Sequence, residues 1–298
     1  MPCSTISVMA SHMIDALIFD SGVGGLSVSA EIRRRMPWLS LGYVCDNAAL
    51  PYGTKGGKKD DAWLVARIVA VCSSACERTR PRALVVACNT ASTLALEALR
   101  QRLSIPVIGT VPAIKPAAIL SRHRVFGLLA TSATLQRPYL DRLIETFAAD
   151  CRVVRVPADS LVMEAEGLLK GQAVDESRLR EAVEPLRAQA DLDVVVLGCT
   201  HFPLLRARLE PLMPSVHWLD SGEAIARRLE CVLSAPGSKA PRAVSSMPAG
   251  HESENRAGGE TDATSWATAA SAEGLASALA RFGYAPPAAL RITMSATG

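Results

Sequence analysis

Two stretches of this sequence are near-copies of each other. Leu84-Val-Val-Ala-Cys-Asn-Thr90 is echoed by Val195-Val-Leu-Gly-Cys-Thr-His201, which sets Cys88 and Cys199 111 positions apart. At almost the same offset Leu17-Ile-Phe-Asp-Ser21 resembles the segment from Phe126 to Thr131. Each copy is a short apolar run that ends in small polar residues. The pattern between the copies alternates. Apolar runs at 16–19, 42–45, 83–87, 107–109, 125–130, 153–156 and 193–197 read as strands. The stretches 26–35, 60–78, 92–102, 134–148, 161–170 and 175–190 carry helical spacing, and a further helix is expected after Pro203. Strands alternating with helices predict an α/β fold with mostly parallel sheets. The echo predicts two similar halves, whose equivalent strand ends face each other across a cleft.

The composition supports a packed molecule. Of the 298 residues 49% are apolar and 20% charged, which excludes a wholly disordered chain. The net charge is only +3 and aromatics are 4%, so neither a basic stripe nor a stacking platform for nucleic acid is expected. No apolar run reaches the roughly 18 residues of a membrane span. Eight cysteines without a CxxC pair and without an export signal point to reduced thiols in the cytoplasm. Cys72 and Cys76, four apart on a predicted helix, read as core residues. Residues 1–13 read as a loose tail. The stretch 234–264, rich in Ser, Ala, Gly and Pro, reads as a flexible insertion. Order is expected to resume with a short strand at 265–269 and a helix over 273–282 that ends at Gly283.

The chemistry concentrates at the echoed cysteines. Each is expected to end a buried strand and precede a helix, where backbone N–H groups and the helix dipole favour a thiolate. Two facing thiols suit stereoinversion at carbon, one removing a proton while the other returns one from the opposite face. One thiol with a histidine base would suit nucleophilic catalysis instead. His201, two residues from Cys199, fits either scheme. Asp20 can hold an ammonium or orient a thiol. Ser21 and Gly22 to Gly25 offer a carboxylate site at a helix start. Asn89, Thr90 and Thr200 place short polar groups beside each sulfur. The glycine run lacks the ending of a P-loop and is not a full dinucleotide fingerprint.

Phe19-Asp-Ser-Gly-Val-Gly-Gly-Leu26, Asp46-Asn47 with Pro51-Tyr-Gly53, Ala87-Cys-Asn-Thr-Ala-Ser92 and Leu197-Gly-Cys-Thr-His-Phe-Pro-Leu204 together resemble glutamate racemase, in that family's order and spacing. The resemblance covers about 14–233 and resumes over 265–284. It implies a cofactor-independent interconversion of L- and D-glutamate that supplies D-glutamate for peptidoglycan. Cys88 would act on the D-enantiomer and Cys199 on the L-enantiomer, assisted by Asp20 and His201. Asp20, Ser21, Tyr52, Gly53, Asn89, Thr90, Thr200 and His201 would contact substrate. The implied fold has two pseudo-twofold-related domains around an interdomain active site. One is discontinuous, 14–110 with 221–298, and the other spans 111–220. A helpful glutamate of the family corresponds to Glu164 or Glu166, with Glu166 preferred. The segment from Val111 to Ala117 resembles the Gram-negative branch, in which UDP-N-acetylmuramoyl-L-alanine activates the enzyme; Lys115 would lie near that site. Some family members restrain DNA gyrase, although nothing in this sequence marks a gyrase-binding surface. Aspartate or a hydantoin is the alternative substrate, but Asp46-Asn47, Pro51-Tyr52-Gly53 and the Thr-His-Phe-Pro run favour glutamate; monomer or homodimer is left open by the sequence.

Overall fold

The computed structural model describes residues 14–55, 58–235 and 264–292. The tail expected at 1–13 and nearly all of the insertion expected at 234–264 lie outside the described residues. The strands, in chain order, are β1 (Ala16–Asp20), β2 (Leu41–Cys45), β3 (Ala83–Val86), β4 (Val107–Gly109), β5 (Val125–Ala130), β6 (Arg152–Pro157), β7 (Val194–Leu197), β8 (His217–Leu219), β9 (Ser265–Ala267) and β10 (Ala288–Ala289). They form two sheets, ordered β10-β9-β2-β1-β3-β4 and β6-β5-β7-β8. Every strand pair is parallel.

The two sheets repeat one topology, since β2-β1-β3-β4 and β6-β5-β7-β8 share a strand order. The register repeats as well. Phe19 pairs with Val86 in the first sheet, and Leu129 pairs with Leu197 in the second. Beyond those pairs Ala87 N–H donates to Phe19 O at 2.8 Å, and Gly198 N–H donates to Leu129 O at 2.7 Å. Cys88 and Cys199 are therefore the next residues at equivalent sheet edges. This is the arrangement the sequence echo predicts.

Strands β1, β3, β5 and β7 are buried along their whole length. Helices cover both faces of each sheet, as apolar parallel strands require. Apolar residues pack in two clusters against each sheet. Cys72 and Cys76 sit in one of them, on the helix Lys58–Thr79, as core residues.

Some elements depart from the sequence reading. The helix expected after Pro203 is three short turns, Phe202–Leu205, Arg206–Leu209 and Glu210–Leu212, with Pro203 and Pro211 each in a first turn. Proline lacks the N–H that a continuing helix needs, so each one restarts the coil. Pro138 likewise splits the expected 134–148 helix into Ser132–Leu135 and Pro138–Phe147. The strand expected at 265–269 stops at Ala267, and the last helix is Leu275–Ala280, bracketed by Gly274 (φ 71°) and Gly283 (φ 74°). Strands β8 and β10 and the helix Gly222–Leu233 were not apparent in the sequence pattern. The two strands are only three and two residues long, too short to show a period.

Candidate active site

Both sulfurs reach one narrow pocket, but their surroundings differ. Cys88 leaves β3 in extended geometry and caps the helix Asn89–Arg102, so the helix N-terminus lies beside its sulfur as expected. Its Sγ stands 3.8 Å from Ser21 Oγ. Burial pushes this thiol up, and the nearby Asp20 charge adds to the effect; the Ala91 N–H and the Ser21 hydroxyl work the other way.

Cys199 does not precede an α-helix. It enters a turn whose first regular element is the short 3-10 segment Phe202–Leu205, so the expected helix dipole is missing here. An imidazole stands in its place, with Cys199 Sγ 3.8 Å from His201 Nδ1. His201 Nε2 meets Glu166 Oε1 at 2.9 Å. Burial alone would lower the affinity of His201 for its proton, but Cys199 and Glu166 outweigh it and raise the imidazole well above its ordinary value. Glu166 is itself buried. Its bonds to His201, Lys170 and the Val23 N–H overcome the burial penalty and bring the carboxyl down to about 2.

Of the two candidate glutamates, Glu166 turns inward. Glu164 turns away, accepting from Arg178 at 2.9 Å and from the Asp175 N–H at 2.8 Å. Asp20, at the end of β1, sits behind the pocket wall. It accepts from the Gly22 N–H and from Thr200 Oγ1, each at 2.9 Å, and burial raises its carboxyl although His201 opposes the shift.

The Ser21-to-Gly25 turn threads between these groups, and its glycines are required by close approach. A Cβ on Gly22 would lie 2.1 Å from Glu166 Oε1, and one on Gly24 would lie 2.4 Å from His201 Nδ1. The turn is fixed from below by Tyr43, whose hydroxyl donates to Gly22 O at 2.8 Å.

The Pro51–Gly53 wall hangs on Asp46. This fully buried carboxylate accepts from Tyr52 OH at 2.6 Å, from Arg67 Nε and a terminal Arg67 nitrogen at 2.6 Å each, and from Thr268 Oγ1 at 2.7 Å. The far wall comes from the second sheet. A Cβ on Gly53 would lie 2.5 Å from Thr131 Cγ2, so the loop and Thr131 are in near contact.

Ser21, Tyr52, Gly53, Cys88, Asn89, Thr90, Cys199, Thr200 and His201 all line the pocket. Pro51, Thr131, Thr134 and Val162 line it too. The sequence reading did not assign the last three, although the echo held the signal for one, since Thr131 follows β5 as Ser21 follows β1. The free space is about 10 Å³, room for one water-sized group, so the lining residues meet around the site. Arg137 and Asp61 pair at 2.6 and 2.8 Å between the residue preceding the helix Pro138–Phe147 and the helix Lys58–Thr79. Lys115 is exposed, with its Nζ 5.5 Å from the centre of the Phe147 ring, and does not line the pocket.

Equivalent strand ends thus bring two thiols, a histidine–glutamate pair and a set of neutral donors to one pocket. The sequence matches the Asp/Glu/Hydantoin racemase family over residues 27–229, and the chain belongs to that family. It is 46% identical to the glutamate racemase of Shewanella oneidensis over 90% of this chain and 93% of that one. It is 49% identical to the Pectobacterium atrosepticum glutamate racemase over 71% of this chain and 74% of that one. The crystal structure of Escherichia coli glutamate racemase with L-glutamate and the activator UDP-MurNAc-Ala superposes with a TM-score of 0.81 at 38% identity, covering 94% of this chain and 99% of that one. The Thermus thermophilus glutamate racemase with β-chloro-D-alanine gives 0.66 at 30% identity, covering 94% and 96%. Among the described residues no helix is long and apolar enough to cross a membrane.

Proposed function

We propose that this chain interconverts L- and D-glutamate by a two-thiol proton transfer and so supplies D-glutamate for peptidoglycan. The observation that carries the reading is the pair of sulfurs at equivalent strand ends, each beside its own polar partner on one pocket. With L-glutamate bound, the Cys199 thiolate takes the α-proton and the C–H electron pair stays on the α-carbon. The Cys88 thiol then delivers its proton to the opposite face. Racemisation of D-glutamate runs the same path backwards, with Cys88 as base. Each turnover exchanges which sulfur holds the proton, and the protonation states are restored through the flanking groups. His201 serves Cys199 in this way, and Asp20 and Ser21 serve Cys88.

The α-proton is weakly acidic, so the developing negative charge needs fixed donors and little water. Ser21, Asn89, Thr90, Thr200, Tyr52 and the Gly53 backbone are the proposed contacts for the two carboxylates, with Asp20 and His201 close behind. Residues 14–110 with 221–298 act as one domain and 111–220 as the other. They part to admit substrate and close again to exclude water. The reaction belongs to the cytoplasm, where thiols stay reduced.

Proton NMR and polarimetry of L-glutamate in deuterated water test the reading. Loss of rotation together with loss of the α-proton signal is the expected result. Exchange on aspartate but not on glutamate would reassign the substrate. Exchange on neither, under reducing conditions, would overturn the reading.

We further propose that UDP-N-acetylmuramoyl-L-alanine activates the chain and that Lys115 contributes to its site. The likeness to the activator-bound E. coli enzyme supports this. Turnover is expected to rise with the precursor and to respond less in Lys115→Ala. An unchanged rate with the precursor would exclude activation.

A further inference from the structure

Glu166 is 2% exposed, yet its carboxylate meets three donors: the Val23 N–H at 2.7 Å, His201 Nε2 at 2.9 Å and Lys170 Nζ at 2.9 Å. The first two share Oε1, and Lys170 holds Oε2. Lys170 follows the helix Ser160–Leu169 one turn after Glu166, which puts the two side chains on the same helix face. Its stem rests on the segment that leads into the last helix. A Cβ on Gly274 would lie only 2.7 Å from Lys170 Cβ, and Gly274 adopts φ 71°, a conformation that side chains rarely take. The fold thus leaves a seat for this lysine beside a buried relay.

The relay has a charge problem. His201 faces Cys199, Glu166 and Asp20, and Glu166 also faces Tyr43 and Cys45. Two carboxylates around one buried imidazole would hold its proton too tightly for exchange with a thiol. We propose that Lys170 is a positioning residue for the Cys199 side of the reaction: it fixes the outer oxygen of Glu166 and offsets its charge, so that His201 both accepts and releases a proton. This rests on the two-thiol reading above. Cys199 and Glu166 already hold the imidazole well above its ordinary value, so the relay has little room for further negative charge. Removing a nearby cation would raise the imidazole further.

Lys170→Met and Lys170→Arg test the proposal with two readouts. In the resting enzyme, ¹⁵N NMR follows the titration of His201, assigned by comparison with His201→Asn. In turnover, kcat and KM for L-glutamate are measured against pH. Lys170→Met is expected to move the His201 titration upward by roughly one pH unit. It should lower kcat about tenfold while KM changes less than twofold. Lys170→Arg should return both to near wild type. Lys170→Gln stands in if the Met variant melts early. An unmoved His201 titration in the neutral variants would overturn the proposal, as would an Arg variant that behaves like the Met variant. Failure of the racemase reading is distinguishable, because wild type itself would then leave the glutamate α-proton unexchanged while the NMR titration still reports on Lys170.

Discussion

Gly24 has no room for a side chain, because a Cβ would lie 2.4 Å from His201 Nδ1 and 2.6 Å from Thr200 Oγ1. Gly24→Ala must therefore push His201 off Cys199. Racemisation is expected to fall roughly a hundredfold, as a misplacement of about 1 Å at the reacting groups can do. The far-UV spectrum should stay native, and an active Gly24→Ala enzyme would refute this placement of His201. At the sulfurs, Cys88→Ser and Cys199→Ser should each cost roughly 10²–10⁴-fold in kcat, because a serine hydroxyl is a far poorer base. Near-wild-type turnover by either variant would end the two-base assignment. The sequence reading preferred Glu166 to Glu164 without fixing the register, and the helix phase sends Glu166 to His201 and Glu164 to Arg178.

Among the elements, the loop between β2 and the helix Lys58–Thr79 is tied at a buried carboxylate, alongside the two Asn47 bonds to Ala269 and the Lys55 bonds to Ala49 O and Pro51 O. Asp46 joins Tyr52 of its own loop to Arg67 and Thr268. The Arg67 side chain is only 15% exposed and that of Asp46 is fully buried. Asp46→Ala strands a half-buried guanidinium and the buried Tyr52 hydroxyl and should cost about 1–3 kcal/mol in urea unfolding, with a raised KM from the released Tyr52. Deleting the exposed Arg34–Glu31 pair should cost under about 1 kcal/mol and leave KM alone. Equal losses in the two variants would show that the Asp46 hub is not a special support. The Asp46-Asn47 and Pro51-Tyr52-Gly53 motifs were visible in the sequence, but their joint was not. Arg67 and Thr268 lie 21 and 222 residues from Asp46, and nothing local marks them as its partners.

At the scale of the whole molecule, the two sheets are joined through buried polar contacts that titrate. Glu166 on one side accepts from the Val23 N–H on the other, and Thr200 donates back to Asp20. Since the folded Glu166 carboxyl lies at about 2, below its unfolded value of about 4.3, its stabilising contribution is present above pH ~4.3. That contribution is lost as the pH falls towards 2. His201 is shifted upward, so its contribution is complete below its unfolded value and fades as the pH rises through its higher folded value. Asp20, raised by burial, opposes Glu166 in the acid range. Comparing Glu166→Gln with wild type reads this carboxylate together with its effect on His201 and Asp20. The variant's stability deficit at pH 6 is expected to shrink as the pH drops to 2.5, by an amount on the order of a few kcal/mol. A deficit independent of pH would contradict the low carboxyl value.

By itself the sequence determined the α/β class, the repeated half and the two cysteines. Buried parallel strands must be apolar runs, and strand ends facing a site must switch at once to small polar residues, so both signals are local. The same locality made Ser21, Asn89, Thr90 and Thr200 legible beside the sulfurs. What only the tertiary structure decided is how the two thiols differ. Cys88 caps a helix, whereas Cys199 meets a proline-broken turn and takes its polarity from His201. Thr134 and Val162 entered the pocket wall, and Lys170 came to Glu166, through the packing of separate parts of the chain. Burial, charge and contact at such a junction depend on side chains brought together from separate parts of the chain, and no period or motif in either part encodes the meeting.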